Sequence, residues 1–129
     1  MTRGALSVAV IALLACAPNA APIIGKEWQV AAIGEVVNPV GAGGRPLTMT
    51  FDDSTQRIYG FGGCNRYNAG YTLKGDSLSF GPAISTRMAC EGADSLEMIF
   101  LQTLPKVRQL TRSDSLLVLS GEGTAIRLR

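Results

Sequence analysis

Residues 60–67 read Gly-Phe-Gly-Gly-Cys-Asn-Arg-Tyr, which puts a thiol, an amide, a guanidinium and a phenol at four successive positions, Cys64 to Tyr67. A cysteine nucleophile needs a base or a positive field to hold its thiolate. The chain contains no histidine, and Arg66 alone is a weak activator, so a catalytic Cys64 has little support. Two other readings remain. Gly60, Gly62 and Gly63 allow positive φ or close backbone approach, and Asn65 hydrogen-bonds readily to local backbone, which describes a tight turn or bulge. Alternatively Asn65, Arg66 and Tyr67 form a binding group, in which a polar pair beside an aromatic holds a carboxylate or a peptide. Ser85-Thr86-Arg87 would line a pocket with Arg66, or would satisfy backbone at a strand end.

Other chemistry is thinly represented. Asp52 and Asp53 have no third carboxylate at ligand spacing and read as turn residues, so no metal or cofactor is expected. Lys106, Arg108 and Arg112 form either a basic patch toward anionic lipid or a solvated strand face. Twelve basic residues stand against ten acidic ones, a net charge of +2. This balance argues against a nucleic-acid binder, which concentrates basic residues on one face. No phosphate loop, zinc set or catalytic triad is present.

The N-terminus, Met-Thr-Arg-Gly-Ala-Leu-Ser-Val-Ala-Val-Ile-Ala-Leu-Leu-Ala-Cys, is built for export. One positive charge, Arg3, precedes an apolar run from Ala5 to Ala15, too short to span a bilayer and suited to a signal peptide. Leu13-Leu14-Ala15-Cys16 resembles a bacterial lipobox, in which the cysteine is lipidated and becomes the new N-terminus. Ordinary secretion with cleavage after Ala17, or an uncleaved anchor, are the competing readings. The expected organisation is a signal peptide over 1–15, a lipidated, Pro-rich tether over 16–25, and one domain over 26–129. Ala17 after the cysteine resembles outer-membrane sorting. The expected setting is therefore the cell envelope, with the membrane reached through the lipid on Cys16. The expected partner is an unknown envelope protein or peptide, and the expected state is a monomer.

Short segments must position these residues. Residues 27–37, 47–51, 57–62, 67–75, 76–82, 106–112, 114–121 and 124–129 read as strands, with turns at Gly75-Asp76 and Ser113-Asp114. In the last strand Ile126 and Leu128 share one face, while Ala125, Arg127 and Arg129 share the other. This spacing suits an antiparallel barrel or sandwich. One segment has helical period. Asp94 and Glu97 sit as a capping box, and Leu96, Ile99, Phe100 and Leu104 fall on one face before Pro105. Met88 and Met98 read as core fillers.

The stretch Gly63-Cys64-Asn65, then Tyr71, then Thr86 with Met88-Ala89-Cys90, then Glu97-x-x-Phe100-Leu101-x-x-Leu104, resembles the META domain family, the heat-shock HslJ-like proteins. Trp28 matches that family's first-strand tryptophan. Ala69 stands where the family often has glycine, with Gly70 beside it. The resemblance covers about 26–129. It implies a mainly β fold, a small antiparallel, lipocalin-like β-barrel with one packed α-helix, and no established enzymatic activity. It also implies an association with heat-shock response, drug resistance or virulence, often as a lipoprotein. The expected function is thus a non-enzymatic, envelope-anchored stress or interaction module. The alternative is a small-ligand or peptide binder at the barrel mouth near Asn65, Arg66 and Arg87.

Lipidation of Cys16 leaves Cys64 and Cys90 as an even pair in an oxidising compartment, which favours a disulfide. Two buried free thiols, packed as small hydrophobes, are the alternative.

Overall fold

The computed structural model describes residues 4, 5, 7–9 and 22–129. Cys16 and most of the signal and tether segments lie outside the described residues, and so does the lipidation expected there. Among the described residues no helix is long and apolar enough to cross a membrane.

Ten strands form one sheet with antiparallel strand pairing. They are β1 (Glu27–Ile33), β2 (Val36–Val37), β3 (Thr48–Asp52), β4 (Arg57–Phe61), β5 (Arg66–Lys74), β6 (Ser77–Phe80), β7 (Ile84–Ser85), β8 (Gln109–Ser113), β9 (Leu116–Gly121) and β10 (Thr124–Leu128). The pairing runs β1-β3-β4-β5-β6-β8-β9-β10, and β10 returns to β1, so these strands close into a ring. β2 hangs on β1, and β7 hangs on the upper part of β5. The β6–β8 seam is the thinnest, with the single register pair Ser77 and Gln109 flanked by two backbone hydrogen bonds.

The period-2 pattern explains the ring. In β5, Tyr67, Ala69 and Tyr71 point inward and are buried while Arg66 and Thr72 are exposed. In β10, Ile126 and Leu128 are buried and Arg127 is exposed. The inward rows of Trp28, Met49, Phe51, Ile58, Leu117 and Leu119 fill the ring to form a single core. Burying each such side chain stabilises by roughly 1.5–3 kcal/mol. Ahead of β1, Ile24 bridges Phe51, and the Trp28 indole N–H donates to the Ile23 carbonyl at 3.0 Å. Chain entry is thereby fixed against the core.

One helix, α1 (Asp94–Thr103), lies across the ring. Phe100 and Leu104 are fully buried, as expected, and Phe100 meets the Tyr67 ring edge-on at 5.2 Å. Ile99, expected inside, is 42% exposed, and Met88 and Met98, expected in the core, are 64% and 54% exposed. The reason is rotational. The buried stripe of the helix is Glu97, Phe100, Thr103 and Leu104, so the face is set by Glu97 turning inward, and Met98 and Ile99 fall on its flank. The capping box is not formed. Ala93 is the N-cap without a side-chain bond, and Asp94 Oδ1 instead accepts the Cys90 N–H at 2.9 Å.

Candidate functional site

Gly62 N–H bonds the Asn65 carbonyl at 2.8 Å, so β4 turns into β5 through Gly63 and Cys64 alone. Gly63 adopts φ +119°, a conformation L side chains rarely reach. The reversal leaves the N–H groups of Cys64 and Asn65 pointing away from the sheet, toward α1. Glu97 receives them. Its Oε2 accepts Cys64 N–H at 2.8 Å and Asn65 N–H at 2.5 Å, and its Oε1 accepts Asn65 Nδ2 at 2.7 Å. A Cβ on Gly62 would stand 3.1 Å from Glu97 Oε2, so the glycines also make room for the carboxylate.

Asn65 then joins this turn to the segment that follows β7. Its Oδ1 accepts Met88 N–H at 2.7 Å and the Thr86 hydroxyl at 3.2 Å, and its Nδ2 also donates to the Met88 carbonyl at 3.2 Å. Cys64 and Cys90 are joined by a disulfide, with Cα atoms 5.6 Å apart. Seven of the residues that carry the family resemblance, Gly63, Cys64, Asn65, Thr86, Met88, Cys90 and Glu97, therefore meet in one place. They form a clasp that ties a sheet corner, a helix and the strap Pro82–Cys90 together. A buried carboxylate is costly without donors. Glu97 is 7% exposed and Asn65 5%, and the three N–H groups donated to Glu97 offset that cost.

Two of the four residues expected to bind a ligand are thus occupied. Asn65 uses its amide within the clasp. Tyr67 is 2% exposed and donates its hydroxyl to the Thr48 carbonyl at 2.7 Å, and burial pushes its phenol well above the usual range. Neither presents a free polar atom, because β5 turns Tyr67 into the core and the turn folds Asn65 under the strap. Arg66 and Arg87 are both exposed. Arg87 sits on the strap itself, and the two arginines line different clefts that border it. A cleft of about 670 Å³ opens between the strap and the start of α1 and contains Arg87, Met88, Asp94 and Glu97. A smaller one of about 420 Å³ lies over the outer face of β4, β5 and β7, with Tyr59, Arg66 and Asn68. Ile84, Ser85 and Thr86 border both.

Elsewhere several charged side chains are tied to the fold. Arg108 reaches the Pro105 and Val107 carbonyls and pairs with Glu122 at 3.2 Å. Arg57 donates to Asn68 Oδ1. Asp52 is drawn below the usual carboxylate range by the Ser54 hydroxyl and amide, as a turn residue should be. Among the described residues no group of three His, Cys, Asp or Glu stands together as a metal set.

Sequence reasoning missed Glu97 as the centre of the clasp and β7 as an edge. Glu97 carried a signal, its fixed place in the pattern three residues before Phe100. β7 carried none, since two residues inside a Pro- and Ser-containing stretch show no period.

A family model for the META domain matches residues 21–129. An NMR structure of a protein from Burkholderia xenovorans is similar at 29% identity and TM-score 0.67, covering 82% of this chain and 81% of that one. A second NMR structure is similar at 19% identity and TM-score 0.61, covering 80% and 86%. A crystal structure of a DUF4847 family protein from Bacteroides vulgatus ATCC 8482 is similar at 14% identity and TM-score 0.57, covering 82% and 92%. The latter two share the fold with this chain. No curated protein matches it. None of these descriptions indicates catalysis.

Proposed function

We propose, from the premise that the chain belongs to the META domain family, that it is a non-enzymatic module of the cell envelope. A lipid on Cys16 holds it at the membrane, and it acts by binding a partner in the envelope stress response. The observation that carries this reading is the Cys64–Cys90 disulfide. It takes both cysteines of the family pattern out of nucleophilic chemistry, and it calls for an oxidising compartment. The apolar run ending in Leu-Leu-Ala-Cys supplies the route to that compartment and the site of attachment. Asn65 and Glu97, two further polar members of the pattern, spend their side-chain atoms on the fold.

The experiment is labelling with a radioactive fatty acid in the producing cell, followed by membrane fractionation. Wild type is expected to carry label and sediment with membranes. Cys16→Ser is expected to lose the label and to leave the membrane fraction or remain unprocessed. Full membrane partition of Cys16→Ser, with no label on wild type, overturns the anchor. A single acyl chain binds only marginally and stable attachment takes two, so the label per molecule distinguishes stable anchoring from transient contact.

A further inference from the structure

The strap leaves one sheet edge open beside the larger cleft. Among the described strands β7 pairs with β5 alone. Thr86 N–H donates to the Arg66 carbonyl at 3.2 Å, which makes residues 66 and 86 a hydrogen-bonded pair. Antiparallel pairs alternate, so Ser85 opposite Tyr67 is a non-bonded position, and its N–H and C=O turn away from β5. That edge faces the cleft between the strap and α1, which Ser85 lines. Ile84 and Met88 border the same cleft at 63% and 64% exposure. They are large apolar side chains with little to cover them.

The charges in the cleft are used unequally. Asp94 accepts the Cys90 N–H, and both oxygens of Glu97 are taken by Cys64 and Asn65. Arg87 lines the cleft, is exposed, and makes no hydrogen bond or ion pair among the described residues. Of the cleft's charged groups it is the one left without a counterpart.

We propose that this cleft takes an extended segment of a partner polypeptide. The segment adds as a further strand to the free edge of β7, and one of its carboxylate side chains pairs with Arg87. Backbone pairing to Ser85 supplies affinity, and Ile84 and Met88 supply apolar contact, the division of labour seen wherever a peptide extends a sheet. Guanidinium and carboxylate match as a charge-assisted, two-point contact. An edge of two residues is too short to recruit strands indiscriminately, so Arg87 sets the choice. The disulfide and the Asn65–Met88 bonds hold the strap in place before the partner arrives, which lowers the ordering cost of binding.

The inference goes beyond the anchored-module reading and stands or falls separately from it. The test uses the oxidised, mature protein in detergent, immobilised and offered two pools of end-blocked heptapeptides, one with Glu fixed at the centre and one with Lys. Captured peptides are identified by mass spectrometry. The Glu pool is expected to enrich roughly tenfold over the Lys pool, and Arg87→Glu to reverse the preference while leaving the unfolding midpoint unchanged. N-methylation of the captured peptide at alternate amides is expected to weaken binding about tenfold, and the Ser85 amide signal to shift on titration. The proposal is overturned if neither pool is enriched, if Arg87→Glu leaves the preference intact, or if N-methylation is harmless at every position. It is also overturned if the Ser85 signal moves with protein concentration alone, which would make a second copy the occupant. Loss of fatty-acid labelling would sink the anchor and leave this result untouched.

Discussion

Glu97→Gln changes one atom of the clasp and keeps its shape. The carboxylate accepts three N–H groups, two on Oε2 and one on Oε1, and no cation stands among its hydrogen-bond partners. Glutamine has one accepting oxygen. If that oxygen stays with the Cys64 and Asn65 amides, the new NH₂ confronts Asn65 Nδ2, donor against donor. Asn65 cannot relieve this by flipping, because its Oδ1 holds the Met88 N–H and the Thr86 hydroxyl. One buried donor is then unsatisfied, at about 1–3 kcal/mol, and two charge-assisted bonds become neutral ones, at roughly 0.5–1 kcal/mol each. Relief from burying a charge offsets part of this. The expected net loss is about 2–3 kcal/mol, a large fraction of an ordinary domain's stability. The assay is urea unfolding of oxidised protein, reading the midpoint at unchanged slope. Asn65→Ala, and the double variant with Glu97→Gln, should show a coupling of roughly 1–2 kcal/mol. A Glu97→Gln loss below about 0.5 kcal/mol, or additivity in the cycle, would refute the clasp as a cooperative unit.

Other perturbations have defined outcomes. Phe100→Ala removes a fully buried ring in contact with Tyr67 and should cost about 3–5 kcal/mol, whereas half-exposed Met98→Ala should cost under about 1 kcal/mol by the same unfolding assay. Gly60→Ala would drive a Cβ to 2.2 Å from the Thr48 carbonyl oxygen, so it should destabilise by roughly 1–3 kcal/mol or more through forced strand separation; a neutral result would contradict the β3–β4 approach. Opening the disulfide, whose cysteines are 26 residues apart, should cost about 3.5 kcal/mol on chain entropy, and two titratable thiols in denatured, unreduced protein lacking Cys16 would contradict the bridge. Burial raises the Tyr67 phenol above its unfolded value near 10. Below pH 10 both states keep the proton and stability is level. Above it the unfolded chain loses the proton first, and stability should fall by about 1.4 kcal/mol per pH unit for this group. Tyr67→Phe should flatten that alkaline slope by one proton, and an unchanged slope would place the phenol in water.

Regular elements were legible because period survives in single segments. Alternation in 124–129 put Ile126 and Leu128 on one face, which is the buried one, and the turn at Gly75-Asp76 marked the β5–β6 hairpin. Phe100 and Leu104 fell where helical spacing put them. What was not legible depended on partners far along the chain. Asp94 and Glu97 have capping-box spacing, yet the donors Glu97 serves lie 32 and 33 residues earlier, at Asn65 and Cys64. Once the carboxylate turns inward the helix face rotates with it, which strands Ile99 and Met98 outside. Asn65 and Tyr67 are residue types suited to binding, and sequence cannot say that a turn and a strand spend their polar atoms internally. Arg66 and Arg87 read as lining one pocket, but they line different clefts that border the strap on which Arg87 sits.

Amide hydrogen exchange of the oxidised protein tests the central claim most directly, since it reads the clasp and the open edge in one spectrum. The Cys64 and Asn65 N–H groups, held by Glu97, should exchange only through opening that costs nearly the full unfolding free energy. The Ser85 N–H, turned away from β5, should exchange orders of magnitude faster, and should slow when a captured peptide is added. Fast exchange at Cys64 and Asn65 together with protection at Ser85 in the free protein would contradict both the clasp and the docking edge.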